Sequence, residues 1–335
     1  MNDSEYITKQ CLLCGKPIPV HISKRGYKES PKQYEKHKYC SNTCRIKSFA
    51  DRRRKRCELT EENYYSVEMN MKYVSASQYK MFFDIYGNTC EAAALAQIKG
   101  EWTKPVTKSL LMGSYVDEAL TGDLEKFKEG HSELYLTRGE RKGELKAEFM
   151  QAEDMVQRAK RDATFMAYVT GGQHQVIYTG EINGVPVKIK IDHVAYKNGK
   201  PVAIVDLKTV KSMYESFYVK DSGEHLNFIQ RWNYDLQGAM YQYIFEQNTG
   251  LKLPFYIAAI SKDKDSEGVS HPRLKIIQVP QVKMDERIIE VKNNIGKIQA
   301  LKQGTIEPVN CGRCDYCADT LPCEVISMDE LTLDL

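Results

Sequence analysis

The chain has 335 residues, 42% of them hydrophobic, and a formal charge of +3. That length suits one large domain with small appendages, and so slight a charge cannot by itself argue for a nucleic-acid partner. No apolar run is long enough to span a membrane, and the opening MNDSEYITKQ lacks the apolar core of a secretory signal, so a cytoplasmic chain with no membrane partner is expected.

Residues 1–57 form a head rich in cysteine and lysine and poor in large aliphatics. The chain carries 10 cysteines, many for a cytosolic protein. Disulfides are disfavoured in that compartment, which leaves metal binding. In the head, Cys11 and Cys14 are separated by two residues, and Cys40 and Cys44 by three. Four thiolates at such spacings can surround one tetrahedral zinc ion, with the chain between them as a long loop. A head this small cannot bury a sufficient core, so metal would supply its folding energy. His21 and His37 are read as non-ligands because the cysteines already complete a site. The run Arg45, Lys47, Arg52, Arg53, Arg54, Lys55 and Arg56 suits phosphate contacts or, equally, a solvated linker. Cys57 has no evident partner.

Residues 58–74 read as a connector, and residues 75–325 as the main domain. Ser75 or Ser77 can cap a helix striped by Tyr79, Phe82, Phe83 and Tyr86. CEAAALAQIKG predicts a second helix closed by Gly100, and SLLMGSYVDEALTG a third from about residue 109 to Gly122. Residues 142–168 are strongly helical. A stretch rich in Val and Ile follows, punctuated by Asn183-Gly184 and Asn198-Gly199, both hairpin-turn dipeptides. A helix over YDLQGAMYQYIFEQNTG, a strand over LPFYIAAISK and a helix over 284–303 complete the core, and residues 326–335 form an acidic tail. This order predicts an α/β (α+β) core with a mixed central sheet flanked by helices.

Two strands of the meander end in acids. VKIKIDHVAY carries Asp192, and AIVDLKTV carries Asp206 with Lys208 two places on. Residues i and i+2 of a strand share a face, so Asp206 and Lys208 can address one site. A two-residue turn at Asn198-Gly199 would pair Asp192 with Val205 and send Asp206 to the other face. A three-residue loop or a bulge is therefore required if both acids serve one site. Adjacent carboxylates repel unless a cation lies between them, and an oxygen-only ligand set favours magnesium or manganese. Such an ion beside a lysine suits phosphodiester hydrolysis.

At the other end, CGRCDYCADTLPC holds Cys311, Cys314, Cys317 and Cys323. These four can bind a second zinc, or three of them can join Cys90 around an ion or an iron–sulfur cluster.

Taken in order, these motifs resemble the PD-(D/E)xK nucleases, specifically their RecB-like and phage RecE-like (exodeoxyribonuclease VIII-like) branch. The resemblance runs from about Ser75 to Cys317, and KYCSNTCR resembles half of a treble-clef-like zinc finger. It implies a restriction-endonuclease-like core in which Asp192 and Asp206 bind Mg²⁺ or Mn²⁺ and Lys208 is the catalytic lysine. Asp117 falls where the branch carries a histidine, and neighbouring Glu118 competes for that role. Gln237 and Tyr241 fall on the late helix whose Gln and Tyr support the site. Ile191 replaces the leading proline. The resemblance further implies a [4Fe–4S] cluster held by Cys90 with Cys311, Cys314 and Cys317, Cys323 being the alternative third member. The expected activity is that of a phage-type Mg²⁺-dependent DNA exonuclease that processes double-stranded ends for recombination. Its partners would be DNA ends, a single-strand annealing protein and further copies of itself, in the cytoplasm of a bacterial or phage-infected cell. The alternative is an inactive nuclease-like adaptor that binds DNA through the zinc head.

Overall fold

The computed structural model describes residues 8–12, 14–45, 59–84, 87, 89–220, 222–323 and 325–328. Most of the basic run after Arg45, and Cys57, lie outside the described residues. Two compact units separate at Asn63 and Tyr64.

In the first unit, Cys11, Ile18 and Tyr34 form a small buried core. The Tyr34 hydroxyl donates to the Ile18 carbonyl at 2.8 Å. So few apolar side chains cannot by themselves offset the entropy of ordering the chain.

The second unit is built on a five-stranded sheet in the order β1-β2-β3-β6-β7. The strands are β1 Gly172–Ile182, β2 Val185–Lys197, β3 Lys200–Val210, β6 Phe255–Ser261 and β7 Leu274–Gln278; β4 Phe217–Val219 and β5 Glu224–Leu226 form a separate small hairpin. Among the described strands of this sheet, only β3 and β6 run parallel. They are linked by a crossover that carries a helix, as parallel neighbours require. The architecture is the mixed α/β sheet flanked by helices that the sequence predicts.

The principal helices are α1 Ala76–Phe82, α2 Glu91–Lys99, α3 Lys108–Thr121, α4 Ala147–Lys160, α5 Ala163–Thr170, α6 Tyr234–Thr249, α7 Gln281–Gln303 and α8 Asp315–Thr320. One sheet face buries Ile189, Ile204 and Phe255 against Leu236 and Met240 of α6 and Val291 and Ile295 of α7. The other buries Val205, Ala258 and Ile260 against Tyr115 of α3, Phe149 of α4 and Phe165 of α5. Each large side chain so buried contributes about 1.5–3 kcal/mol. Coverage of both faces explains why β6 reads as an almost unbroken apolar run. Gly238 lets α6 approach the sheet closely, since a Cβ there would lie 2.3 Å from the Phe255 ring.

One local prediction needs correction at its start and refinement within. The helical stretch 142–168 is divided in two: Asp162 accepts from the Phe165 N–H at 3.0 Å and starts α5 as a fresh N-cap. Ahead of α4, Tyr135 bridges Leu145, so residues 142–146 belong to a turn.

Candidate active site

The β2–β3 hairpin sets the site. Its turn is the two-residue Asn198-Gly199 type, with φ of 52° and 73°, and Lys197 pairs with Lys200. The register shifts between Ala195 and Tyr196: Tyr196 faces Pro201, whereas Ala195 faces Ala203. Val202 is the extra residue. Pro201 has no N–H to give the ladder, a natural place for a bulge. The shifted register pairs His193 with Val205, the last pair of the ladder, so that one residue further on Asp192 and Asp206 fall on the same side of the hairpin. The bulge required by the sequence argument is therefore present.

Beyond His193 the strands part. The next amide is taken by a side chain: Leu207 N–H donates to Asp192 Oδ2 at 3.0 Å. Earlier along β2, the edge that β3 has left meets Val74, whose N–H donates to the Pro186 carbonyl at 2.9 Å. This bridge delivers the chain to Ser75, which caps α1 in a reciprocal box with Gln78. The fork between β2 and β3 thus receives α1 on one side and α6 on the other.

Asp206 is fully buried. Gln237 Nε2 donates to its Oδ1 at 2.7 Å and to the Tyr241 hydroxyl at 3.2 Å. Asp206 Oδ2 lies 2.6 Å from Lys208 Nζ, yet it has no aligned hydrogen-bond donor among the described residues. The contact is one of charge, and the oxygen keeps a lone pair to offer. Asp192 is held well above the ordinary carboxylate range by burial and by the Asp206 charge, with Lys208 opposing. Burial disfavours the Lys208 ammonium, but Asp206 and Asp192 outweigh it and raise its pKa.

Asp117 lines the same cleft, a cavity of about 870 Å³ that also exposes Asp192, Lys208 and Gln237. Burial raises its pKa, against the hydrogen bond from Thr121. Glu118 instead accepts from the Asp123 N–H at 3.0 Å. Of the two acids on α3, Asp117 is the one in the cleft. The three carboxylates do not converge fully, however: no acidic triad has its ligand oxygens within 4.8 Å of one another among the described residues. Asp117 Oδ2 is held by Gln175 Nε2 at 3.0 Å.

Sequence reasoning missed three residues. Gln175 falls in the register gap opposite Asp192 and has φ of 51°, a strained left-handed conformation for a non-glycine residue. Lys80 of α1 donates to Gln237 Oε1 at 3.2 Å, and burial together with Lys208 lowers its pKa to about 8. Tyr234 carries both ammonium groups near its ring, Lys208 at 5.1 Å and Lys80 at 5.3 Å from the centroid. A lysine in a helical stripe, SASQYKMF, gives no signal of a partner 157 residues away.

The sequence matches the PDDEXK-like domain of unknown function (DUF3799) over residues 75–320. The chain belongs to this PDDEXK-like family. It is also similar to the crystal structure of a "Putative exonuclease" from Eubacterium rectale: identity is 42%, TM-score 0.74, and the match covers 83% of this chain and 99% of that one. No curated protein matches.

This PDDEXK-like protein carries two cysteine groups, each with four sulfurs within 4.8 Å of one another: Cys11, Cys14, Cys40 and Cys44; and Cys90, Cys311, Cys314 and Cys317. The second group contains Cys90 and the first of the two sequence-derived trios; Cys323 is exposed and outside it. Cys90 and Cys314 are the N-caps of α2 and α8; burial and the neighbouring thiols raise the pKa of Cys90 and push Cys314 up to about 12, so a bound cation is needed to hold both as thiolates. Burial opposes Cys311 ionisation, but the amides of Arg313 and Cys314 bring its pKa to about 6. Among the described residues, no helix is long and apolar enough to cross a membrane.

Proposed function

We propose that this protein is a divalent-metal-dependent deoxyribonuclease that hydrolyses phosphodiester bonds of double-stranded DNA, working inward from ends. The observation that carries this reading is the Asp206–Lys208–Gln237 constellation buried beside Asp192 at the fork of β2 and β3. Two coupled carboxylates with one unaligned oxygen fit a hard cation, because leaving them bare costs free energy. Asp192 and Asp206 would hold that ion, with Asp117 completing the set after it leaves Gln175. When bound, Mg²⁺ or Mn²⁺ supplies Lewis acidity and an acidified water.

The remaining roles belong to the chain. Lys208, kept charged by its two acids, presents an ammonium to the phosphate as negative charge develops. Gln237 fixes the rotamer of Asp206, and Tyr241 fixes Gln237. Lys80 adds a second cation to the phosphate path. The exonuclease preference draws on the family resemblance and on the E. rectale relative; single strands left by such digestion would pass to an annealing partner. Asp206→Ala and Lys208→Ala should each abolish degradation of end-labelled linear DNA with Mg²⁺ while the protein stays folded. Unchanged activity in either variant refutes the assignment, and equal rates on closed circular DNA refute the dependence on ends.

Both cysteine groups are proposed to bind zinc. Four thiolates at about 2.3 Å from one tetrahedral ion lie about 3.8 Å apart. Head sulfurs are separated by 3.5 Å, 3.6 Å and 3.7 Å, and the C-terminal group has Cys90–Cys317 at 3.7 Å and Cys311–Cys317 at 3.9 Å. A four-iron cube would hold its thiolates further apart, each on its own corner, so this spacing favours a single ion over the cluster expected from the resemblance. Elemental analysis of the purified protein decides it: two equivalents of zinc and no visible chromophore are expected, and iron with labile sulfide would refute the second zinc.

A further inference from the structure

The main cleft is lined by an indole as well as by its carboxylates and lysines. Trp232 shares it with Asp117, Asp192, Lys208 and Gln237, and 48% of the residue is exposed. The sequence around it, NFIQRWNYDLQ, explains why a large apolar ring stands out in solvent. Asn227 caps the one-turn helix Phe228–Arg231. Asn233 then adopts φ of 50°, which asparagine tolerates better than most residues. The short helix stops there, and α6 starts afresh at Tyr234. Trp232 occupies the corner between the two.

That corner is rigid. Asn233 is buried; its side chain donates to Asp84 Oδ1 at 3.1 Å and accepts from Arg287 Nη2 at 3.3 Å. The Trp232 N–H donates to the Phe228 carbonyl at 3.2 Å, and the Trp232 carbonyl accepts from Lys80 Nζ at 3.3 Å. The ring is held too. The Arg231 guanidinium lies 4.7 Å from its centroid and reaches Asp84 at 3.5 Å, while Phe217 of β4 meets it at 6.2 Å with the rings at 76°. A side chain so fixed has little freedom left to lose when a ligand stacks on it. Lys80 also donates to Gln237 Oε1, and Gln237 holds Asp206. One lysine and one amide therefore tie the Trp232 backbone to the Asp206 carboxylate.

The cleft volume of about 870 Å³ is in the range of pockets that enclose one small ligand. It has room for about one or two nucleotides and not for a paired end. Its cations are Lys80, Lys104, Lys208, Lys211 and Lys262, and its acids Asp117, Asp192 and Glu215. Asp117 and Asp192 belong to the proposed metal site, and Glu215 pairs with Lys211 at 2.7 Å. A phosphate is thus provided for, whereas a base needs a flat apolar face. Of the aromatic rings lining the cleft, Phe228 is buried, Phe217 is half-buried and Tyr234 already carries two ammonium groups. Trp232 is the exposed one.

We propose that Trp232 is the stacking platform for an unpaired base of the DNA strand being cut, so that this strand lies in the cleft parted from its complement. This rests on the nuclease reading, and it names the form in which the substrate is held. A base inside a duplex has both faces covered, and freeing one costs the energy of unstacking. Stacking on the indole offsets that cost for a strand peeled from its partner. Every base has a π face, so the platform passes any sequence.

The chain has two tryptophans, so Trp102→Phe leaves Trp232 as the sole fluorescent indole. In a Lys208→Ala background with Mg²⁺, where no cutting is expected, a short single-stranded oligothymidylate should quench that fluorescence. An abasic deoxyribose-phosphate chain of equal length and charge should not quench it, and should bind about tenfold more weakly. Anisotropy of the labelled chains then compares variants whose melting temperatures match the parent. Trp232→Ala should erase the preference for oligothymidylate over the abasic chain, and Trp232→Phe should keep most of it. With Lys208 restored, Trp232→Ala should slow cleavage of blunt-ended DNA about tenfold, and of ends opened by terminal mismatches about twofold or less. Equal quenching by both chains, an unchanged preference in Trp232→Ala, or equal slowing on blunt and mismatched ends would overturn the proposal. The two readings fail separately. Cutting by a protein whose Trp232 senses no base removes the platform alone. Base-dependent quenching in a protein that never cuts DNA removes the nuclease reading and leaves a base-binding cleft.

Discussion

Gln237 is the residue on which the geometry of the site turns. Its amide donates to Asp206 Oδ1 at 2.7 Å and to the Tyr241 hydroxyl at 3.2 Å, and accepts from Lys80 at 3.2 Å. Gln237→Ala removes all three contacts. The bond to Asp206 is charge-assisted and buried, worth about 1.5–3 kcal/mol. The other two add less, because loss of one neighbour in a network lets the rest readjust. A loss of about 3 kcal/mol in unfolding free energy is expected, roughly a 150-fold change in the equilibrium. Urea denaturation at neutral pH measures it, read as a lower midpoint at unchanged slope. Turnover on linear DNA should fall at least tenfold (about 1.4 kcal/mol), because Asp206 is free to leave its rotamer. Gln237→Glu supplies the discriminating control. It preserves shape but sets a carboxylate against Asp206, so it should be worse than Ala at pH 7 and recover as pH falls. The reasoning is refuted if Gln237→Ala alters stability by less than about 0.5 kcal/mol with turnover unchanged, or if the Glu variant has no pH dependence beyond that of the parent.

Asp192 binds its proton more tightly in the folded protein than in the unfolded chain, since its native pKa is raised by burial and Asp206. Native protein thus retains a proton that unfolded chain releases, and stability drops as pH rises from the unfolded value through the native one. Asp192→Asn should raise the melting temperature at neutral pH in Mg²⁺-free buffer, flatten this pH dependence and abolish cleavage; an unchanged slope in thermal scans would count against the raised pKa. Gly238→Ala forces a methyl onto the Phe255 ring; overpacking of about 1–3 kcal/mol should lower the melting temperature and, by displacing α6, the turnover. Cys90→Ser should cost one equivalent of bound metal by elemental analysis and lower the melting temperature, whereas Cys323→Ser should do neither.

The core of the fold was legible because its signals are local. Asn-Gly turns, capping serines and terminal glycines marked most of the elements, and alternation marked the meander. The helix break at Asp162 was hidden because apolar residues and helix formers continue on either side of it. The short hairpin β4–β5 and strand β7 are too brief to show an alternation and announce little. At the site, Asp192, Asp206 and Lys208 could be read as a set because one hairpin carries all three, and the demand for a bulge followed from counting residues around its turn. Lys80, Gln175 and Tyr234 could not. Each gains its place from a contact between elements far apart in sequence, and Gln175 also from a backbone conformation that its side chain does not advertise.

The thiol group that joins α2 to the segment before α8 has a temporal consequence. Cys311 follows Cys90 by 221 residues. At about 5–20 residues per second, a ribosome needs roughly 11–44 s to travel from one to the other. During that interval Cys311, Cys314 and Cys317 do not yet exist, and Cys90 stands at the start of a helix without them. Every residue lining the cleft, Ser77 through Lys262, has already been synthesised when Cys311 is added. A nascent chain can therefore assemble its carboxylates before it can close the clasp that ties its front helices to its end. Metal supply late in synthesis would then decide when the finished domain becomes durable.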